Sequence, residues 1–115
     1  MEYKPKEFVV SVAEDFEDMV AAKDFRIAES IVEGILANMN TKKNHVHLLS
    51  IVCEDENSVY DITVERKYFI TTLEENIVHY VREEKYEDCQ RIADAIGVLK
   101  NRQIGTLINT ISGSK

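Results

Sequence analysis

The chain has 115 residues, a net charge of −7, 44% hydrophobic and 30% charged content, which fits one soluble globular domain with a core of its own. Cys53 and Cys89 make no disulfide framework, Met1–Glu7 is polar rather than signal-like, and no apolar run approaches the roughly 18 residues of a membrane span. A cytoplasmic protein with reduced thiols is expected, and its acidity disfavours direct binding to a phosphate backbone.

Pro5 ends a polar lead-in and suits the first turn of a helix. From Lys6, the residues Phe8, Val9, Val12, Phe16, Met19 and Val20 recur at three and four and predict one helix face. Ala21–Asp24 interrupts it, with Asp24 as cap of a second helix carrying Phe25, Ala28, Ile31, Val32, Ile35, Leu36 and Met39. Residues 41–66 admit two readings. His45–Cys53 and Val59–Val64 both alternate, with Glu54-Asp55-Glu56-Asn57-Ser58 as a polar turn, which makes a β-hairpin. Alternatively Ser58 caps a helix that runs on past Lys67. The absence of Gly and Pro between Ser58 and Glu84 favours the helix. From Lys67 the period is clear. Phe69, Ile70, Leu73, Ile77, Tyr80 and Val81 form one stripe, Arg82–Lys85 a turn, and Tyr86, Cys89, Ile92, Ala93, Ile96 and Leu99 a second stripe. Gly97 weakens that helix by roughly 1 kcal/mol relative to Ala. Ile104, Leu107, Ile108 and Ile111 extend the pattern, and Ser112–Lys115 is expected to fray.

A shift of 61 residues lays Lys6–Asn40 over Lys67–Asn101 without a gap, with seven identities in 35 pairs. Lys6/Lys67, Phe8/Phe69, Glu14/Glu75, Val20/Val81, Ile31/Ile92, Ile35/Ile96 and Asn40/Asn101 are identical. A single helical hairpin exposes an apolar face it cannot cover alone. Two copies can cover each other, and each buried Ile, Leu or Phe contributes roughly 1.5–3 kcal/mol. The expected fold is therefore all-α, two tandem helical hairpins packed as a pseudo-twofold bundle. Its parts are one repeat at 6–40, a connecting segment at 41–66, a second repeat at 67–101 and a tail at 102–115. The alternative is α+β, with a small β-hairpin at about 45–65.

Leu73, Ile77, Val81, Tyr86, Glu87, Cys89, Ile92, Asp94, Ile96 and Leu99 carry a spacing that resembles the UVR motif, the helical hairpin of UvrB, UvrC and McsA-type adaptors. Ala93 stands where that motif has Arg, and Gln90 where it has a small residue. Val12, Phe16, Val20, Phe25, Ala28, Ile31 and Ile35 repeat the pattern more faintly, with Arg26 in place of Glu. The resemblance implies hairpin-to-hairpin protein interaction rather than catalysis.

Chemistry-bearing clusters are few. His45 and His47 would share a strand face near Glu54 and Asp55, but no third metal ligand stands at a telling spacing. Both cysteines fall on apolar stripes, as buried structural thiols do. Glu14-Asp15-Glu17-Asp18 and Glu83-Glu84-Glu87-Asp88 lie near the hairpin turns without the spacing of a calcium loop, and read as solvated helix faces. Phosphate loops, GK[ST] and aromatic–basic interleaving do not occur. The sequence therefore points to a non-enzymatic interaction module, an adaptor, inhibitor or regulator. No catalytic, cofactor or metal residues are expected, and its partner is a protein rather than nucleic acid or membrane. The docking ground expected is Tyr80, Tyr86, Glu87 and Asp94, with Phe25 as its counterpart in the first copy, because aromatic side chains anchor interfaces. Alternatives are an acidic factor that mimics nucleic acid on a basic protein surface, and a small metal protein or enzyme. A homodimer is compatible with each.

Overall fold

The computed structural model describes residues 3–113, with side chains for residues 3–105. The apolar positions Leu107, Ile108 and Ile111, and the end of the chain at Ser114–Lys115, lie outside that description. The order of elements is β1 (Lys6–Val10), α1 (Ala13–Ala21), α2 (Phe25–Ala37), β2 (His45–Cys53), β3 (Ser58–Glu65), a 3₁₀ turn at Arg66–Tyr68, α3 (Phe69–Arg82) and α4 (Tyr86–Gly113).

The expectation of an all-α bundle is overturned by a three-stranded sheet of order β1-β2-β3. The β-hairpin at 45–65 is the reading that matches. Its connection ends in Asn57 at φ 50°, a left-handed position that Asn tolerates at little cost. Ser58 starts a strand rather than capping a helix. Helix begins at Phe69, after the 3₁₀ turn. Lys6–Val10 is also strand, so Pro5 precedes an edge strand and not a helix. Phe8 is 6% exposed and Val9 59%, the two-residue alternation of a half-covered strand. Its pairing is parallel and non-local, running from Lys6 with Leu49 to Val10 with Cys53. The three- and four-residue spacing of Phe8, Val9 and Val12 could not disclose a partner so far along the chain.

One irregularity in β2 decides which side chains are buried. The β2–β3 ladder runs regularly from His45–Glu65 to His47–Thr63, then resumes at Leu49–Ile62, leaving a bulge at Leu48. Before the bulge Val46 faces inward, and after it Leu49, Ile51 and Cys53 do. Leu48 is also buried. All five therefore reach the helical layer. Glu7, Val9, His45, His47, Ser50, Val52, Val59, Asp61, Thr63 and Glu65 share the opposite face, which no described helix covers.

Two apolar clusters fill the space beneath the sheet. Phe8, Leu49, Ile51 and Cys53 pack against Phe16 and Met19 of α1 and Ile27 and Ile31 of α2. Val46 and Leu48 pack with Val32 and Ile35 of α2, Phe69, Leu73 and Tyr80 of α3, and Ile92, Ala95 and Leu99 of α4. Helix α2 is thus sandwiched between the sheet and the α3–α4 hairpin. The pseudo-twofold bundle is not formed, because α1 serves the sheet while α3 packs on α2 and α4. The gap-free repeat nevertheless has a local structural counterpart. Ala22, Lys23 and Asp24 donate to the carbonyls of Asp18, Val20 and Met19, and Glu83, Glu84 and Lys85 donate to those of His79, Val81 and Tyr80. Lys23 (φ 56°) and Glu84 (φ 57°) are both left-handed. The two turns are the same helix-ending motif at the same register.

Glycine positions give a paired prediction. A Cβ on Gly34, in α2, would sit 2.6 Å from Leu48 Cδ2 and 3.2 Å from the Tyr3 ring. Tyr3 is itself held by hydrogen bonds from its hydroxyl to the carbonyls of Ser30 and Leu48 at 3.0 and 2.8 Å. A Cβ on Gly97 meets nothing within 4 Å. Gly97→Ala is expected to raise stability by about 1 kcal/mol in urea unfolding. Gly34→Ala is expected to lower it, overpacking of roughly 1–3 kcal/mol outweighing the same helix gain.

Candidate interaction surface

The α3–α4 hairpin carries most of the residues expected to dock a partner, but it divides them. Tyr80 is 1% exposed and lies in the core. Its ring meets the half-buried Phe25 edge-on, centroids 4.8 Å apart. Neither is a surface anchor. Burial pushes the Tyr80 phenol well above its ordinary pKa, with Glu33, Glu29 and Asp88 adding to the effect. The hydroxyl has no hydrogen-bond partner among the described residues. Tyr86 is 62% exposed. Glu87 and Asp94 are exposed on the same helix, and Asp94 accepts a 2.8 Å bond from Gln90 Nε2.

Helical spacing identifies what surrounds Tyr86. Glu74 of α3 and Lys100 of α4 form a 3.5 Å ion pair, which marks the outer seam between the helices. Val78 and Val81 lie on the same side of α3 as Glu74. Tyr86, Ala93 and Gly97 lie on the side of α4 that carries Lys100. Val78 is 58% exposed and Val81 50%, and Ala93 and Gly97 are exposed as well. The seam therefore exposes an apolar strip, with only small residues at Ala93 and Gly97. Glu74, Glu75, Glu83, Glu84, Glu87 and Asp94 rim it. Val78 escapes sequence reading because it falls outside the stripe of α3; Ala93 stands in the expected second stripe but is exposed, and both add apolar surface to the seam.

The hairpin is fixed to the rest of the fold at its tip and along α4. Arg82 donates from Nη2 to the carbonyl of Lys23 at 2.8 Å, joining the two equivalent turns. Arg91 bridges Glu33 of α2 at 3.1 Å and Asp88 at 2.7 Å. These contacts tie the hairpin to α2 and to the turn before it.

No family model, curated protein or solved structure matches this chain. The functional reading rests on the chemistry of its own side chains.

The sheet's uncovered face gathers a group that sequence spacing does not place together. His47 Nε2 lies 2.7 Å from Ser50 Oγ, and Ser50 Oγ donates to Asp61 Oδ1 at 2.7 Å. An i,i+3 pair on a regular strand would point to opposite faces; the bulge unites these two. The wiring is not that of a nucleophilic triad. In a triad the imidazole takes the serine proton while the carboxylate orients the imidazole. Here the serine proton goes to Asp61. The same His47 nitrogen also lies 3.0 Å from the Leu49 carbonyl and 3.4 Å from Asp61 Oδ1, so serine, imidazole and carboxylate converge on one point instead of forming a relay. The network secures the bulge against β3. His45 shares the face as expected, 3.7 Å from Glu65, while Glu54 and Asp55 stand at the far end of β2. No group of three or more His, Cys, Asp or Glu among the described residues is arranged to hold a metal ion. Cys53 is fully buried, Cys89 partly so, and burial raises the Cys53 thiol, with Glu56 and Asp15 reinforcing it; a buried neutral thiol is a poor nucleophile. No described helix is long and apolar enough to cross a membrane.

Proposed function

We propose that the protein is a non-enzymatic interaction module that receives a helix of a protein partner on the α3–α4 seam. The observation that carries this reading is the exposure of Val78, Val81 and Tyr86 together on one seam of two packed helices. Amphipathic helices dock through spaced apolar anchors, and Ala93 and Gly97 leave room for close backbone approach. The acidic rim selects a partner whose flanking residues are basic. The UVR-type spacing supports hairpin docking as the mode, although Leu73, Ile92 and Leu99 of that pattern are used inside the core. Co-purification from the native host, read by mass spectrometry, is expected to recover a discrete partner with the wild-type chain and to lose it with Val81→Asp combined with Tyr86→Asp. Recovery of the same partner with both would overturn the reading.

A second reading rests on a separate observation. Glu56 Oε2 accepts a 2.7 Å bond from the Ala13 amide, which brings the acidic β2–β3 turn at Glu54, Asp55 and Glu56 beside Glu14, Asp15, Glu17 and Asp18 of α1. This end supports polyanion mimicry on a basic protein. Binding there weakens steeply between low and physiological salt, whereas docking on the apolar seam is only mildly salt-dependent.

A further inference from the structure

The opposite end of the molecule has the reverse charge. Lys42 and Lys43 end the α2–β2 loop, Arg66 and Lys67 form the turn into α3, and Arg102 lies where α4 runs past the start of α3. Between them is a cavity of about 310 Å³ lined by Arg66, Lys67, Phe69, Ile70, Leu99, Arg102 and Gln103. It exists because α4 outlasts its partner. Leu99 and Gln103 lie on the core-facing side of α4, but α3 begins only at Phe69. The floor is apolar, from Phe69, Ile70 and Leu99, and the rim carries Arg66, Arg102 and Lys67, the last paired with Glu65 at 3.3 Å.

Two guanidinium groups make this rim attractive to an anion. Arg66 donates to the carbonyls of Lys43, Met39 and Asn38 and to the Thr41 hydroxyl. Those partners are all neutral, so no hydrogen-bonded carboxylate offsets its charge. Arg102 adds a second guanidinium, donating to the Met39 carbonyl at 3.0 Å and to Asn40 Oδ1 at 2.7 Å. A volume near 310 Å³ is at the small end of the roughly 300–1,000 Å³ typical of small-molecule sites.

We infer that this cavity is a binding site for a small amphiphilic carboxylate, with its aliphatic or aromatic tail on Phe69, Ile70 and Leu99 and its carboxylate toward Arg66, Lys67 and Arg102. Neither half of the ligand suffices alone: the floor offers an anion nothing, and an uncharged tail forgoes the rim.

The test is a titration of the full chain with octanoate below its micellar concentration, followed by ¹H–¹⁵N NMR. Octanol and acetate serve as the two half-ligands. Saturable shifts confined to residues around Phe69, Ile70, Leu99 and Gln103 are expected, with octanol and acetate each weaker by about tenfold or more. Lys67→Glu combined with Gln103→Glu cancels the net positive charge of the rim through exposed side chains and leaves Arg66 and Arg102 untouched. This variant is expected to keep its circular dichroism spectrum and unfolding midpoint while losing octanoate affinity by about tenfold. Octanol binding as tightly as octanoate would overturn the inference. So would shifts scattered over the surface, the absence of a saturable response, or a correctly folded rim variant with unchanged affinity.

Discussion

Tyr80→Ala is expected to cost about 3–5 kcal/mol of folding stability, the range for removing a large buried aromatic. That is a major share of the roughly 5–15 kcal/mol by which a domain of this kind is stable. The side chain is 1% exposed, rests edge-on against Phe25 and belongs to the cluster that joins α2, α3 and α4. Tyr80→Phe should behave in the opposite sense. It keeps the ring and removes a hydroxyl that has no partner among the described residues, so stability should be unchanged or raised by about 1 kcal/mol, since a buried unpaired polar group costs energy that its deletion recovers. Tyr86→Ala should change stability by no more than about 0.5 kcal/mol, as exposed positions do. Urea unfolding of the three variants with unchanged m-values checks all of this. A Tyr80→Ala variant as stable as Tyr86→Ala would contradict the placement of the hairpin.

Arg66→Ala is expected to cost about 3 kcal/mol, from loss of several charge-assisted hydrogen bonds at once. Helix α2 ends without a basic residue in its last turn and without a glycine cap. The carbonyls just beyond it are satisfied from elsewhere in the chain. Arg66 reaches those of Asn38 and Met39 at 3.0 and 3.2 Å, and its guanidinium also stacks over the Phe69 ring at 4.8 Å. One side chain thereby ties the end of α2, the α2–β2 loop and the start of α3. Arg66→Lys should recover less than half of the loss, because an ammonium cannot match a planar fork that serves four acceptors. The readout is again the urea midpoint; equal stability of Arg66→Lys and wild type would show that charge alone suffices.

The sequence disclosed the local parts of this fold and missed the non-local one. Asp24 caps α2 as expected, accepting from the Arg26 amide at 3.0 Å. The hairpin expected at 67–101, with its turn at 82–85, follows from the spacing of Phe69, Leu73, Tyr80, Ile92 and Leu99, all of which are buried; the helices run Phe69–Arg82 and Tyr86–Gly113. The β-hairpin at 45–65 was legible as an alternative. The lack of Gly and Pro after Ser58 favours helix, yet a β-branched strand passes into a helix here through a 3₁₀ turn with neither. Strand β1 was not legible. Its five residues pair with a segment more than forty positions on, and Val9, its outward valine, mimics a helical stripe when read beside Phe8 and Val12. The repeat was visible for a reason that local geometry supports, since both turns end a helix in the same way. It did not predict how the copies pack, because a shared turn says nothing about what covers each helix.

The expected docking ground was half legible. Tyr80 and Tyr86 look alike in sequence, six residues apart on either side of the turn, and helical spacing assigns both to apolar stripes. Only the packing separates them. Position 80 points at α2, while position 86 opens α4 on its outer side. Val78 could not be recognised as part of a surface, since a valine next to Ile77 and three residues before Val81 reads as one more apolar position until α4 is laid beside it.

The central claim is that a protein partner engages the α3–α4 seam. It is tested most directly by a photo-crosslinking amino acid placed in native cells at Tyr86, at Val78 and, as a control on the uncovered sheet face, at Glu7. The account predicts one discrete adduct of the same mass from positions 86 and 78 and none from position 7. Adducts from position 7 alone, or none from either seam position while the wild-type chain still co-purifies with a partner, would contradict it.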